Sequence, residues 1–105
     1  MIILTLIATV RGDSLRNVDV SDPKVVETGK FAVLEHNKLA NADLRFDRVL
    51  QAQTRLAGNG VGVEFHERIQ ATDPGTGLAN VYKAVVLEKP LDHPSMNLQS
   101  FEKVH

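Results

Sequence analysis

His36, His66, His93 and His105 are the side chains best suited to acid–base or metal chemistry in a chain without cysteine. No two of them share the H-x-x-x-H spacing that places a metal-binding pair on one helix face. His66-Glu67 and Asp92-His93 set a carboxylate beside an imidazole, yet neighbours along a strand point to opposite faces of a sheet. Neither is expected to be a catalytic dyad. His36 is expected to satisfy a hydrogen bond beside the core, and the other three to be solvated. The absence of cysteine removes disulfides, thiolate metal sites, redox chemistry and a thiol nucleophile. Gly58-Asn59-Gly60-Val61-Gly62 is rich enough in glycine to cradle a phosphate, but it leads into a strand-like segment. The helix N-terminus that completes such a site is therefore missing, and a hairpin tip is expected instead. Arg11-Gly12-Asp13 spells an integrin-type tripeptide, a motif short enough to arise by chance. No catalytic residue, cofactor or metal is expected.

The chain has 105 residues, 43% of them hydrophobic and 24% charged, and twelve basic against thirteen acidic side chains. That length is enough for one core, burying roughly two-thirds of the unfolded surface. The near-balanced charge carries no footprint for nucleic acid and no polybasic stripe for a membrane surface. Met1–Val10 (MIILTLIATV) is almost wholly apolar and too short to span a bilayer. It reads either as a remnant of a secretory signal or as a strand. The expected organisation is this segment, residues 1–10, followed by one domain over 11–105.

The elements that position everything else follow from the pattern. Ser21-Asp22-Pro23 reads as a helix start, with a capping side chain followed by Pro at the first helical position. Val25, Val26, Gly29, Ala32, Val33, His36 and Ala40 then recur at helical spacing. Gly29 weakens a helix by ~1 kcal/mol relative to Ala, so a neighbouring backbone is expected to approach closely there. Phe31 and Leu34 lie off the main face, which asks for a curved sheet covering a wide arc. Asn41-Ala42-Asp43 ends the helix. Leu44, Phe46, Leu50 and Ala52 suggest a strand with Val49 out of phase at a bulge. Val61, Val63 and Phe65 begin a second strand, Val81–Leu87 forms a third and Met96–Val104 a fourth. Asp73-Pro74-Gly75-Thr76-Gly77 is the turn between the second and third. One helix followed by an antiparallel meander is an α+β layout. In such a meander, the turn around Thr54–Gly58 and the turn around Pro90-Leu91 project from one end, within reach of the tail before the helix.

Thr28-Gly29-Lys30-Phe31-Ala32-Val33-Leu34-Glu35-His36-Asn37 resembles the helix signature of the plant cystatins (phytocystatins), protein inhibitors of papain-like cysteine proteases. From Gly12 onwards the resemblance covers nearly the whole chain, with Leu44-Arg45-Phe46 similar to the first hairpin strand. It implies a cystatin-like fold, one α-helix wrapped by a curved antiparallel β-sheet of four to five strands. It also implies three protease-binding segments. The family's Gln-x-Val-x-Gly loop matches Thr54-Arg55-Leu56-Ala57-Gly58, with Thr for Gln and Leu for Val. Its Pro-Trp loop matches Pro90-Leu91, and its N-terminal glycine matches Gly12. Gly58 is expected to serve a positive φ or a close backbone approach at the tip. Leu91 in place of Trp loses contact area worth ~1–2 kcal/mol, about tenfold in affinity.

The implied function is reversible, competitive inhibition of papain-like cysteine proteases by steric occlusion, with no covalent step. The protein would then be a monomer, or a dimer through hairpin exchange. It would be secreted or vacuolar if Met1–Val10 is a signal remnant and cytoplasmic otherwise. Two rivals use the same residues differently. One is a cystatin-fold binding or structural module whose wedge has decayed, which Thr54, Leu91 and the single Gly12 favour. The other is a small enzyme using His66 or His93 in an enclosed pocket.

Overall fold

A computed structural model describes residues 14–58, 60–89 and 95–105. The elements are β1 (Arg16–Asn17), α1 (Pro23–Ala40), β2 (Arg45–Leu56), β3 (Val63–Asp73), β4 (Leu78–Lys89) and β5 (Ser95–Lys103). The strands form one antiparallel sheet in sequence order, and α1 lies across its inner face. This is the expected α+β, cystatin-like architecture, with the sheet at five strands. Met1–Val10, Gly12, Pro90 and Leu91 lie outside the described residues.

Capping chemistry sets both ends of the helix. Asp22, rather than Ser21, is the N-cap: its carboxylate accepts the Lys24 N–H at 2.8 Å, and Pro23 follows at the first helical position. Ser21 instead bonds to Asp19. Asn41 closes the other end in the left-handed conformation (φ 53°, ψ 46°), where Asn is tolerated better than most side chains. The Asn37 amide then takes both backbone groups of Leu44, at 2.9 and 3.0 Å, which ties the helix exit to the start of β2.

Val25, Thr28, Gly29, Ala32 and Val33 are the buried residues of α1. Val26 is only half-buried, Ala40 and Leu34 are exposed, and Thr28 occupies the core position the apolar pattern left out. The sheet is narrower over the helix than the positions of Phe31 and Leu34 implied: Phe31 packs against the core, while Leu34 stays 61% exposed. Facing the helix are Phe65, Ile69 and Ala71 of β3, Tyr82, Ala84 and Val86 of β4, and Val49 and Ala52 of β2. His36 stacks on Phe101 of β5 at 4.1 Å between ring centroids, and burial lowers its pKa. Its place is an aromatic stack rather than the expected hydrogen bond.

β2 explains its own irregular pattern. Its register against β3 slips between Phe46 and Arg48 and again between Val49 and Gln51, so Asp47 and Leu50 are extra residues. Phe46, Val49 and Ala52 thereby share the inner face at spacings of three, followed by Thr54 and Leu56 at spacings of two. The bulge expected near Val49 exists, but the roles are exchanged. Val49 is in the core, and Leu50 bulges outwards at 39% exposure. Each bulge bends the strand and increases its twist, which lets the sheet curve around α1.

Gly29 marks the closest approach of helix to sheet. A Cβ there would meet Glu67 Oε1 at 2.9 Å, Val49 Cγ2 at 3.0 Å and Phe46 Cε1 at 3.1 Å. The approaching atoms belong to side chains, not to the neighbouring backbone expected from sequence. Gly29→Ala should therefore destabilise the protein by ~1–2 kcal/mol in urea unfolding, because overpacking outweighs the gain in helix propensity.

Candidate functional site

β2 and β3 pair as far as Leu56↔Val63, so the chain reverses over residues 57–62. The tip is thus three residues further along than a turn starting at Thr54 would place it. Thr54 lies inside the sheet, paired with Phe65 on one side and Arg16 on the other. Arg55 and Leu56 complete the strand, and of the five matched residues only Ala57 and Gly58 belong to the loop. Val61, expected to open the second strand, also sits in this loop and is 45% exposed.

Short-range bonds hold the loop in shape. Ala57 N–H donates to the Gly62 carbonyl at 3.1 Å, and Gly60 N–H donates to the Ala57 carbonyl at 2.8 Å. Ala57 is buried beneath them, while Leu56 projects with 56% exposure. Gly60 (φ 75°) and Gly62 (φ 108°) carry the positive φ values, and a Cβ on Gly62 would lie 2.7 Å from the Glu88 carbonyl oxygen. Gly58 has neither constraint: its φ is not positive, and a Cβ there would meet nothing within 4 Å among the described residues. The steric demand assigned to Gly58 therefore falls on Gly62. The signal for it was the glycine run itself, whose third member comes to rest against β4.

Below the tip, Arg55 and Glu64 are register partners on the outer face, opposite α1. Arg55 Nε donates to Glu64 Oε1 at 2.8 Å, and His66 Nε2 lies 2.9 Å from the same oxygen. The hydrogen bond with His66, followed by Arg55, holds the Glu64 carboxyl below its ordinary pKa. Arg55 therefore braces the hairpin instead of standing free at its tip. Glu64 and His66 are the residues the sequence reading missed; charge complementarity at a cross-strand position is the signal that could have found them. His66 faces away from its neighbour Glu67, which points under the helix, so the adjacent pair is no dyad. Among the described residues, no group of three or more His, Asp or Glu is placed to hold a metal ion.

The strand ends that lead to the remaining segments lie at the same end. β1 runs antiparallel to β2, with Arg16 opposite Thr54 and Asn17 opposite Gln53, so the chain preceding Arg16 is directed towards the tip. On the other flank Val63 pairs with Glu88, and Lys89 pairs with Ser95. The strand ends that bracket residues 90–94 thus lie beside Gly62. Gly12, Pro90 and Leu91 themselves are outside the described residues.

The sequence has relatives over most of its length. It is 37% identical over 86 residues to "Cysteine proteinase inhibitor 1" of Actinidia chinensis, covering 82% of this chain and 69% of that protein. The chain belongs to the plant cystatin family. Two further cystatins bear this out. "Cysteine proteinase inhibitor 5" of Arabidopsis thaliana is 38% identical over 84 residues, 80% of this chain and 65% of that protein. "Cystatin-1" of Zea mays is 33% identical over 84 residues, 80% of this chain and 58% of its own length. This cystatin therefore spans rather less than two-thirds of the length of some relatives. Its residues 17–104 also match the family described as "Aspartic acid proteinase inhibitor". All these names are those of inhibitors, not enzymes.

The two tip glycines should separate in chemical denaturation. Gly62→Ala is expected to cost ~2–3 kcal/mol, through a strained φ and a backbone clash, whereas Gly58→Ala should change stability by less than ~0.5 kcal/mol.

Proposed function

We propose that this cystatin is a reversible, competitive inhibitor of papain-like cysteine proteases that fills the active-site cleft without covalent chemistry. The observation that carries the reading is that the start of β1, the 57–62 tip, and the strand ends at Lys89 and Ser95 lie at one end of the sheet. The names of its relatives support the target class. In this reading Gly12 and its flank occupy one side of the cleft, the Thr54–Gly58 region its centre, and Pro90-Leu91 the far side. Leu56 offers the apolar contact. Thr54 acts from within the sheet by supporting the loop, and Arg55 by bracing it from the outer face. The hydrogen-bonded tip limits the ordering cost of association.

Gly58 gives this reading its sharpest support. A glycine at a hairpin tip that meets no other described residue is explained by an approaching partner backbone. The match over residues 17–104 favours a second reading in which the same wedge meets an aspartic protease.

Titration against papain and pepsin side by side tests both. Inhibition of papain at or below micromolar concentration is the expected outcome; inhibition of pepsin alone would move the target to the second class. Failure against both would leave a binding module with a decayed wedge. In a papain assay, Gly58→Glu should raise the inhibition constant by at least ~100-fold without loss of stability, and Leu91→Trp should lower it by ~10-fold. Unchanged constants for both variants would remove the wedge from this end of the sheet.

A further inference from the structure

Beneath the helix lies a carboxyl group that the proposed function does not use. Glu67 of β3 is 3% exposed, and Thr28 of α1 above it is fully buried. Thr28 Oγ1 lies 2.9 Å from the Val25 carbonyl and is also hydrogen-bonded to Glu67 Oε2. Glu67 Oε1 has no hydrogen-bond partner among the described residues and faces Gly29, where a Cβ would stand only 2.9 Å away.

A count of protons separates the two ionisation states. The threonine hydroxyl has one hydrogen, and the Val25 carbonyl can only accept. Both contacts are satisfied together only if Glu67 supplies a second hydrogen. Its own hydroxyl then donates to Thr28 Oγ1, while Thr28 donates to Val25. Ionised, Glu67 needs donors at both oxygens. Thr28 must turn away from Val25 to serve Oε2, and Oε1 keeps a share of negative charge with no donor at all. An unpaired buried charge costs far more than an unpaired carbonyl oxygen.

Among the described residues, no cation offsets that charge. Across the strands, the register partners of Glu67 are Ala52 and Ala84. The ionisable side chains on its face of the sheet are Arg16, Tyr82 and Lys103, two residues along from that central row, and Glu88 and Asp73, four and six residues along; none of them forms an ion pair with Glu67. On the helix, Lys24 is committed to Glu88 at 2.7 Å and Glu27 at 3.3 Å, and His36 is stacked on Phe101.

We infer that Glu67 is a proton-binding site built into the core, which couples docking of α1 on the sheet to acidity. The helix seats fully over a neutral carboxyl, and loss of the proton weakens that seat. Burial raises the group from 4.5 to about 7, in keeping with this geometry. Because the folded protein holds the proton more tightly than the unfolded chain, stability is greatest below the unfolded pKa. It falls as pH rises towards the folded value and levels off above it.

Urea unfolding of the wild type and Glu67→Gln across about pH 4 to pH 8 tests the coupling. The unfolding constant of the wild type should rise by on the order of a hundredfold more than that of the variant, whose amide can donate to Thr28 at any pH. Titrations of His36 and Glu64 are common to both proteins and cancel in the comparison. Identical pH profiles would overturn the inference. A ¹³C titration of the Glu67 carboxyl in the intact wild type provides an independent readout. A midpoint near neutrality supports the site, and one in the ordinary carboxylate range overturns it.

Discussion

Helix α1 is seated so close to the sheet that only a hydrogen fits on residue 29. Side chains from β2 and β3 close around that point: Phe46, Val49 and Glu67 all come within 2.9–3.1 Å of where a Cβ would stand. The separation fixes much else. It brings Thr28 into contact with Glu67, places Val25, Ala32 and Val33 on the inner face, and sets how strongly the sheet must bend. Two bulges in β2 provide the bend. Burial of a valine side chain is worth about 1.5–3 kcal/mol, so a helix lifted by even one methyl diameter would forfeit several such contributions.

The curved sheet then determines where the loops go. Each long hairpin delivers its connection to a defined end of the meander, and β1 adds the N-terminal approach by pairing with β2 over only two residues. The site is a by-product of topology. Glu88 joins the tip to the helix: its carbonyl oxygen stands against Gly62, and its carboxylate holds Lys24 of α1. The brace beneath the hairpin, Arg55–Glu64–His66, lies on the face away from the core.

Much of this was legible in the sequence, and the misreadings have physical causes. The helix announced itself through Asp22-Pro23 and the small residues at helical spacing, and the Asp73–Gly77 turn through its composition. β3 and β4 alternate cleanly because no bulge interrupts their pairing with each other. β2 was harder: its inner-face residues Phe46, Val49 and Ala52 repeat every third position, a spacing that period-two reading turns inside out. The tip was placed too early because Thr54 matches a family loop position yet pairs on both sides within the sheet. Glu67 was legible only in part: alternation puts it on the face of Val63, Phe65 and Ile69, but nothing in the sequence shows Thr28 and Gly29 closing over it.

The two glycines at either end of the tip have different masters. Gly62 answers to the backbone of β4, while Gly58 meets nothing among the described residues. Substitutions at residue 58 are thus nearly free of folding consequences, and those at residue 62 are not. A lineage carrying this scaffold could explore new partners through the first position while purifying selection holds the second. Change of target and retention of fold would then proceed on neighbouring residues at very different rates.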